Sequence, residues 1–272
     1  MKAFKILFTI LFCVALLITA TAGTCALEEV SEDSLDELVT RYFDNNGLNP
    51  DLISIGYFSS GTGETWYWNP DRSYYSASLY KLPLMMMYAE KVSTGELSQD
   101  SEFLGLKLSD LEYEILVNSN NDLAYSMLCT LGEPTAVRRS FQLLADQPSE
   151  YYDWSFCALS YFNVRFMTDV LVTLLQNQEQ FPEIMDMMKK AQPGHYFRLR
   201  LGEERFEIAQ KYGSYHDEDE NDWNHCAGVV FTPEPFALTV MTRYGGISEN
   251  IIGDLAEIIT EYTLRMNQKD TA

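Results

Sequence analysis

The chain has 272 residues, 46% hydrophobic and 13% aromatic, enough to bury one sizeable core or two small ones. Forty Asp and Glu against nineteen Lys and Arg leave a formal charge of −21. So acidic a chain repels nucleic-acid phosphates and anionic lipid heads, which excludes a DNA-binding or membrane-coating role.

The first segment is not part of the fold. Lys2 and Lys5 precede an apolar run over residues 6–18, interrupted only by Thr9. A bilayer span needs about 20 residues, so the run is too short to cross and fits the h-region of a secretory signal. Residues 1–26 are expected to leave after Ala20-Thr21-Ala22 or Thr24-Cys25-Ala26. Residues 27–272 then form a secreted, extracytoplasmic monomer with no transmembrane anchor. Thr24 and Ala22 do not suit lipid attachment at Cys25, so a lipoprotein is not expected. Cys129, Cys157 and Cys226 remain, without a C-x-x-C pair and without His195, His216 or His225 at zinc spacing. These cysteines read as small buried hydrophobes, and no metal or cofactor is expected.

Further along, residues 31–43 read as a helix with Leu35, Leu38, Val39 and Tyr42 on one stripe, stopped by Asn45-Asn46-Gly47. Residues 52–59 and 65–68 read as two strands around the turn Gly61-Thr62-Gly63. Residues 76–91 form a very apolar helix, in which Met85, Met86 and Met87 are core filler. From 100 to about 197 the pattern is helical almost throughout, with amphipathic segments at 108–116, 122–131, 135–144, 164–176 and 181–190. Short β-branched or aromatic runs follow at 206–210, 226–231 and 236–242, and residues 251–266 return to helix. Between the first two of those runs, the acidic stretch from Asp217 to Asp222 lacks the Gly an EF-hand loop needs and reads as a solvated turn.

Strands thus lie at both ends and helices in the middle. A lone hairpin is marginal, so the simplest arrangement is one five-stranded antiparallel sheet built from 27–75 and 200–272. The expected fold class is α+β: that sheet with the terminal helices packed on it, and residues 76–199 as an inserted all-helical subdomain. A cleft between the two parts is where a small-molecule site is expected.

Three short stretches could furnish such a site. Ser78-Leu79-Tyr80-Lys81 opens the buried helix, and residues three apart share a helix face. A desolvated Lys holds its proton weakly and can act as a base toward a neighbouring hydroxyl. Ser119-Asn120-Asn121 lies at the seam between two predicted helices and offers a second hydroxyl and an amide. Lys211-Tyr212-Gly213 ends the first C-terminal strand, where a sheet edge can present a cation and a backbone N–H, with Gly213 leaving room for substrate.

In this order the stretches resemble the S-x-x-K, S-D-N and K-T-G motifs of serine penicillin-recognising enzymes, nearest to class A β-lactamases and low-molecular-weight penicillin-binding proteins. The resemblance covers essentially all of the mature chain. It implies that Ser78 is the acylated nucleophile and Lys81 its base. Ser119 would relay a proton to the leaving nitrogen, and Asn121 would hold the substrate amide and Lys81. Lys211, Tyr212, Gly213 and Ser214 would bind the substrate, with the N–H groups of Ser78 and Ser214 as the oxyanion hole. The implied substrate is a β-lactam or a D-alanyl peptide of the cell wall.

Two departures stand out. Tyr212 replaces the Thr of K-T-G, and no Glu sits in an E-P-x-x-N context to activate a deacylating water. Asp146, Glu150 and Asp153 are the available acids, and Glu150 has the longest reach. Release of the acyl group is therefore expected to be slow. The alternative is a wall-binding or sensor module that keeps the fold and acylates little or never.

Overall fold

The computed structural model describes residues 33–132, 161–202, 204–216 and 222–269. The signal segment with Cys25, the predicted 135–144 helix, Asp146, Glu150, Asp153, Cys157 and residues 217–221 lie outside the described residues. In chain order the elements are α1 (Leu35–Asn46), β1 (Ile53–Ser59), β2 (Thr65–Trp68), β3 (Tyr74–Tyr75) and α2 (Lys81–Ser93). Next come β4 (Glu102–Phe103), β5 (Leu106–Lys107), α3 (Leu108–Glu112), α4 (Asn121–Thr130), β6 (Tyr161–Phe162), α5 (Val164–Gln176), α6 (Pro182–Lys190) and α7 (Arg198–Leu201). Strands β7 (Glu207–His216), β8 (Asp222–Phe231) and β9 (Phe236–Thr242) lead to α8 (Ser248–Lys269). All belong to one compact unit, Leu35–Ala272.

The fold is α+β, as the sequence predicts. Five antiparallel strands run in the order β2-β1-β9-β8-β7. Register Ile53↔Thr242 through Ser59↔Phe236 joins the N-terminal hairpin to the C-terminal strands, so both chain ends build one sheet. Side chains alternate along a strand, and here each face meets its own helical layer. Ile208, Cys226, Leu238 and Val240 pack with Leu35, Val39, Leu255 and Ile259 of α1 and α8. Ala209, Ala227, Val229 and Ala237 pack with Met85, Phe166, Val170 and Met188 of α2, α5 and α6. Small residues on that second face let α5 approach closely. A Cβ at Gly56 of β1 would lie 2.2 Å from Thr168 Oγ1. The three methionines of α2 are indeed core.

Several boundaries differ from the sequence expectation. β7 continues through His216, placing Lys211-Tyr212-Gly213 in mid-strand rather than at its end. Pairing such as Lys211↔Ala227 and Gly213↔His225 satisfies their backbone groups and carries the strand past the glycine. Within the stretch taken as helical, Leu104 and Gly105, at φ 55° and 79°, turn a small β4–β5 hairpin. A second ladder pairs Tyr74 with Phe162 and Tyr75 with Tyr161. Cys226 is buried as expected, but Cys129 is exposed on α4, so that expectation fails there.

Candidate active site

The turn carrying Ser78 is held from three sides. Tyr75 pairs with Tyr161, and His225 Nε2 donates to Tyr75 O at 2.8 Å. The tautomer follows from the other ring nitrogen, since His225 Nδ1 accepts from the Thr242 N–H at 3.3 Å. Burial pushes this imidazole down to about 4, so it stays neutral and positions the backbone. From the third side comes β7. A Cβ at Gly213 would lie 3.0 Å from Ser78 N and 3.1 Å from Ser76 O. The glycine therefore makes room for the nucleophile turn, rather than for substrate as the sequence reading had it.

The turn itself is not the α-helical one expected. Ala77–Tyr80 is a 3-10 turn entered through Ala77 in the left-handed region, φ 47°, and α2 starts only at Lys81. In a 3-10 turn, side chains three apart eclipse. Lys81 consequently folds back on the nucleophile, with its Nζ 3.0 Å from Ser78 Oγ.

The second stretch follows a π-helical segment, Tyr113–Val117, which widens the chain path after α3. Ser119 then sits at φ 56°, and this left-handed residue offers both of its oxygens to one amine. Lys81 Nζ donates to Ser119 O at 2.6 Å and lies 3.1 Å from Ser119 Oγ. It also donates to Asn121 Oδ1 at 2.6 Å. Asn120, where the resemblance expects Asp, caps α4: its Oδ1 accepts from the Leu123 N–H at 3.0 Å. Asn and Asp cap about equally well, which explains the substitution.

From the third stretch, Lys211 donates to Ser119 Oγ at 3.0 Å and to Tyr212 O at 3.1 Å. The Ser119 hydroxyl thus bridges two lysines. Burial lowers Lys81 to about 8, and burial followed by the Lys81 charge holds Lys211 well below an ordinary lysine. The Tyr212 ring stacks on Tyr196 at 5.3 Å and comes within 4.2 Å of Lys211 Nζ. It covers that amine instead of lining the cleft.

Proton accounting shows what this arrangement can do. A neutral Lys81 has two N–H donors and one lone pair. The Ser119 carbonyl and Asn121 Oδ1 can only accept, so they take both N–H groups and leave the lone pair to a hydroxyl. Ser78 Oγ, at 3.0 Å, is within reach to give up its proton there.

Ser78 opens into a cleft of about 300 Å³ that also exposes Asn121 and Ser214. Among the sequence-expected residues, Ser78, Lys81, Ser119, Asn121 and Lys211 form one hydrogen-bonded cluster. Ser214 lines the same cleft. Glu150 lies outside the described residues. Sequence reasoning missed Asp122, Tyr125 and Tyr215, which also line it. A signal was present for two of them. Asp122 directly follows the Ser-Asn-Asn stretch, and Tyr125 comes three residues later on the same helix face.

Comparison with known proteins bears on the family and the fold. The family model described as the β-lactamase enzyme family matches residues 34–263. A β-lactamase from Chitinophaga pinensis DSM 2588 is similar in structure at 18% identity and TM-score 0.64, over 76% of this chain and 92% of that one. The TLA-1 extended-spectrum β-lactamase is similar at 14% identity and TM-score 0.70, over 85% and 99%. The protein PBP-A is similar at 14% identity and TM-score 0.67, over 83% and 95%. Among curated protein sequences, nothing matches.

Proposed function

Because the chain belongs to the β-lactamase enzyme family, we propose that it is a secreted serine hydrolase that forms an acyl-enzyme at Ser78. Its substrates are β-lactams or D-alanyl peptides of the cell wall. One observation carries the reading: Lys81 Nζ lies 3.0 Å from Ser78 Oγ in a buried site that lowers this amine to about 8. Ser78 Oγ attacks the amide carbonyl while its proton passes to the Lys81 lone pair. The Ser78 and Ser214 N–H groups stabilise the oxyanion. As the C–N bond breaks, the leaving nitrogen takes a proton from Ser119 Oγ, which is resupplied from Lys81 or Lys211. Lys211, buried under the Tyr212 ring, acts through its hydrogen bond to Ser119 Oγ.

Release of the acyl group needs a carboxylate within hydrogen-bond reach of a water, about 2.6–3.2 Å. Glu150 is our candidate for that role, and the adduct is expected to persist for minutes. Tyr212 in place of a small hydroxyl favours a second reading, a wall-binding module that acylates little or never. Incubation with a fluorescent penicillin separates the two. A covalent band abolished by Ser78→Ala supports the hydrolase, and an unlabelled wild type leaves the binding module.

A further inference from the structure

The cleft around Ser78 has a wall with a chemistry of its own. Apart from Ala77, Ser78, Asn121 and Ser214, its described lining consists of Tyr75, Tyr80, Tyr125, Tyr215 and Asp122. Lys81 and Lys211 are fully buried beneath it, and no Lys or Arg lines it among the described residues. Tyr125 and Tyr215 are 49% and 45% exposed, so part of each ring surface is open to the cleft they line. The wall is also fixed. Tyr75 meets Tyr215 at 4.7 Å and Tyr161 at 5.9 Å, and Tyr75 O is held by His225. On α4, Asp122 and Tyr125 are three residues apart, so a carboxylate stands beside a ring on one face.

Tyrosine faces are electron-rich and attract an ammonium or guanidinium lying over them, and a neighbouring carboxylate adds to that attraction. The same wall is a poor seat for an anion. The chain's charge of −21 also enriches cations around the whole molecule. We infer that this wall is a subsite for a cationic group on the acyl portion of the substrate. The preferred donor is then an amide or lactam carrying a protonated amine beside the group that Asn121 holds. The name of the substrate rests on the acyl-enzyme reading above, whereas the preference for a cation does not.

Two measurements keep these apart. In the first, the Ser78→Ala protein is titrated with D-phenylglycinamide, a cation, and with the neutral phenylacetamide, following the tyrosine resonances by NMR. The cation is expected to bind at least about tenfold more tightly. In the second, Ser78 acylation is compared for ampicillin, benzylpenicillin and carbenicillin, which share a phenylacetyl frame bearing an ammonium, no charge or a carboxylate. The expected order is ampicillin, benzylpenicillin, carbenicillin, with about tenfold between the first two. Asp122→Asn and, independently, Tyr125→Leu should bring the cation-to-neutral ratio within about twofold in the binding assay, while Asp122→Glu retains it. Equal binding of the two amides, or an undiminished ratio in both Asp122→Asn and Tyr125→Leu, overturns the subsite. If the cation preference holds and no penicillin labels Ser78, the acyl-enzyme reading fails and the subsite stands.

Discussion

The two faces of the sheet are built on different terms. The face toward α1 and α8 is mostly apolar: Ile53, Ile55, Leu238, Val240, Leu255 and Ile259 are fully buried with apolar neighbours, and its exceptions include buried Gln210 and left-handed Tyr196, which carry no charge. The face toward the helical insert buries Lys81, Lys211 and Glu112 as well, and the left-handed Ala77 and Ser119 lie there beside a π-helical segment. Each left-handed non-glycine residue costs about 1 kcal/mol or more, and a desolvated lysine costs further. One layer thus supplies the stability that the other spends on aligning reactive groups. Stabilising the first face should leave chemistry alone, and relieving the second should abolish it.

Leu255→Ala, on the mostly apolar face, should lose about 2–5 kcal/mol of unfolding free energy with an unchanged acylation rate, read by denaturant titration and adduct mass spectrometry. A parallel fall in acylation would mean that the layers are not separable. Lys81→Met should do the reverse, slowing acylation by at least about 10²-fold while raising the unfolding midpoint, because a buried amine is replaced by an apolar chain of similar length. A lower midpoint would show that the lysine network holds the fold together.

Glu112 comes next. Burial pushes its carboxyl from 4.5 up to about 7, so over that interval the unfolded chain gives up its proton first. Stability should therefore fall as pH rises from 4.5 to about 7, and Glu112→Gln should remove that slope and gain ~3 kcal/mol at pH 8. An unchanged slope in urea titrations across pH would discount the buried carboxyl. The acylation rate itself should climb about tenfold per pH unit below 8 and level off above it, as Lys81 loses its proton. A flat profile from pH 6 to 8 would remove neutral Lys81 as the base. The smallest effect is at the α4 cap: Asn120→Ala should cost ~1 kcal/mol, with Asn120→Asp nearly neutral in the same melts.

Much of this molecule was legible in the chain alone. The short apolar run 236–242 and the 3.6-residue period in residues 164–176 marked strand and helix bounds that the structure repeats, because the strand is buried on both faces and the helix on one stripe. The spacing Ser78-x-x-Lys81 and the Ser119 and Lys211 stretches could be picked out because the side chains the cluster requires are written in them. Other features were not legible. Nothing local marks Lys211 to Ser214 as mid-strand, since only hydrogen bonds to β8 make extended backbone favourable there. Likewise, the 3-10 turn at Ser78, the left-handed Ser119 and the Tyr212 ring over Lys211 depend on neighbours distant in sequence. Which groups exist and which elements are apolar is written in the chain. Tertiary packing decided their distances and protonation, because desolvation, close backbone approach at Gly213 and the gathering of rings around the cleft arise only when both chain ends and the insert meet.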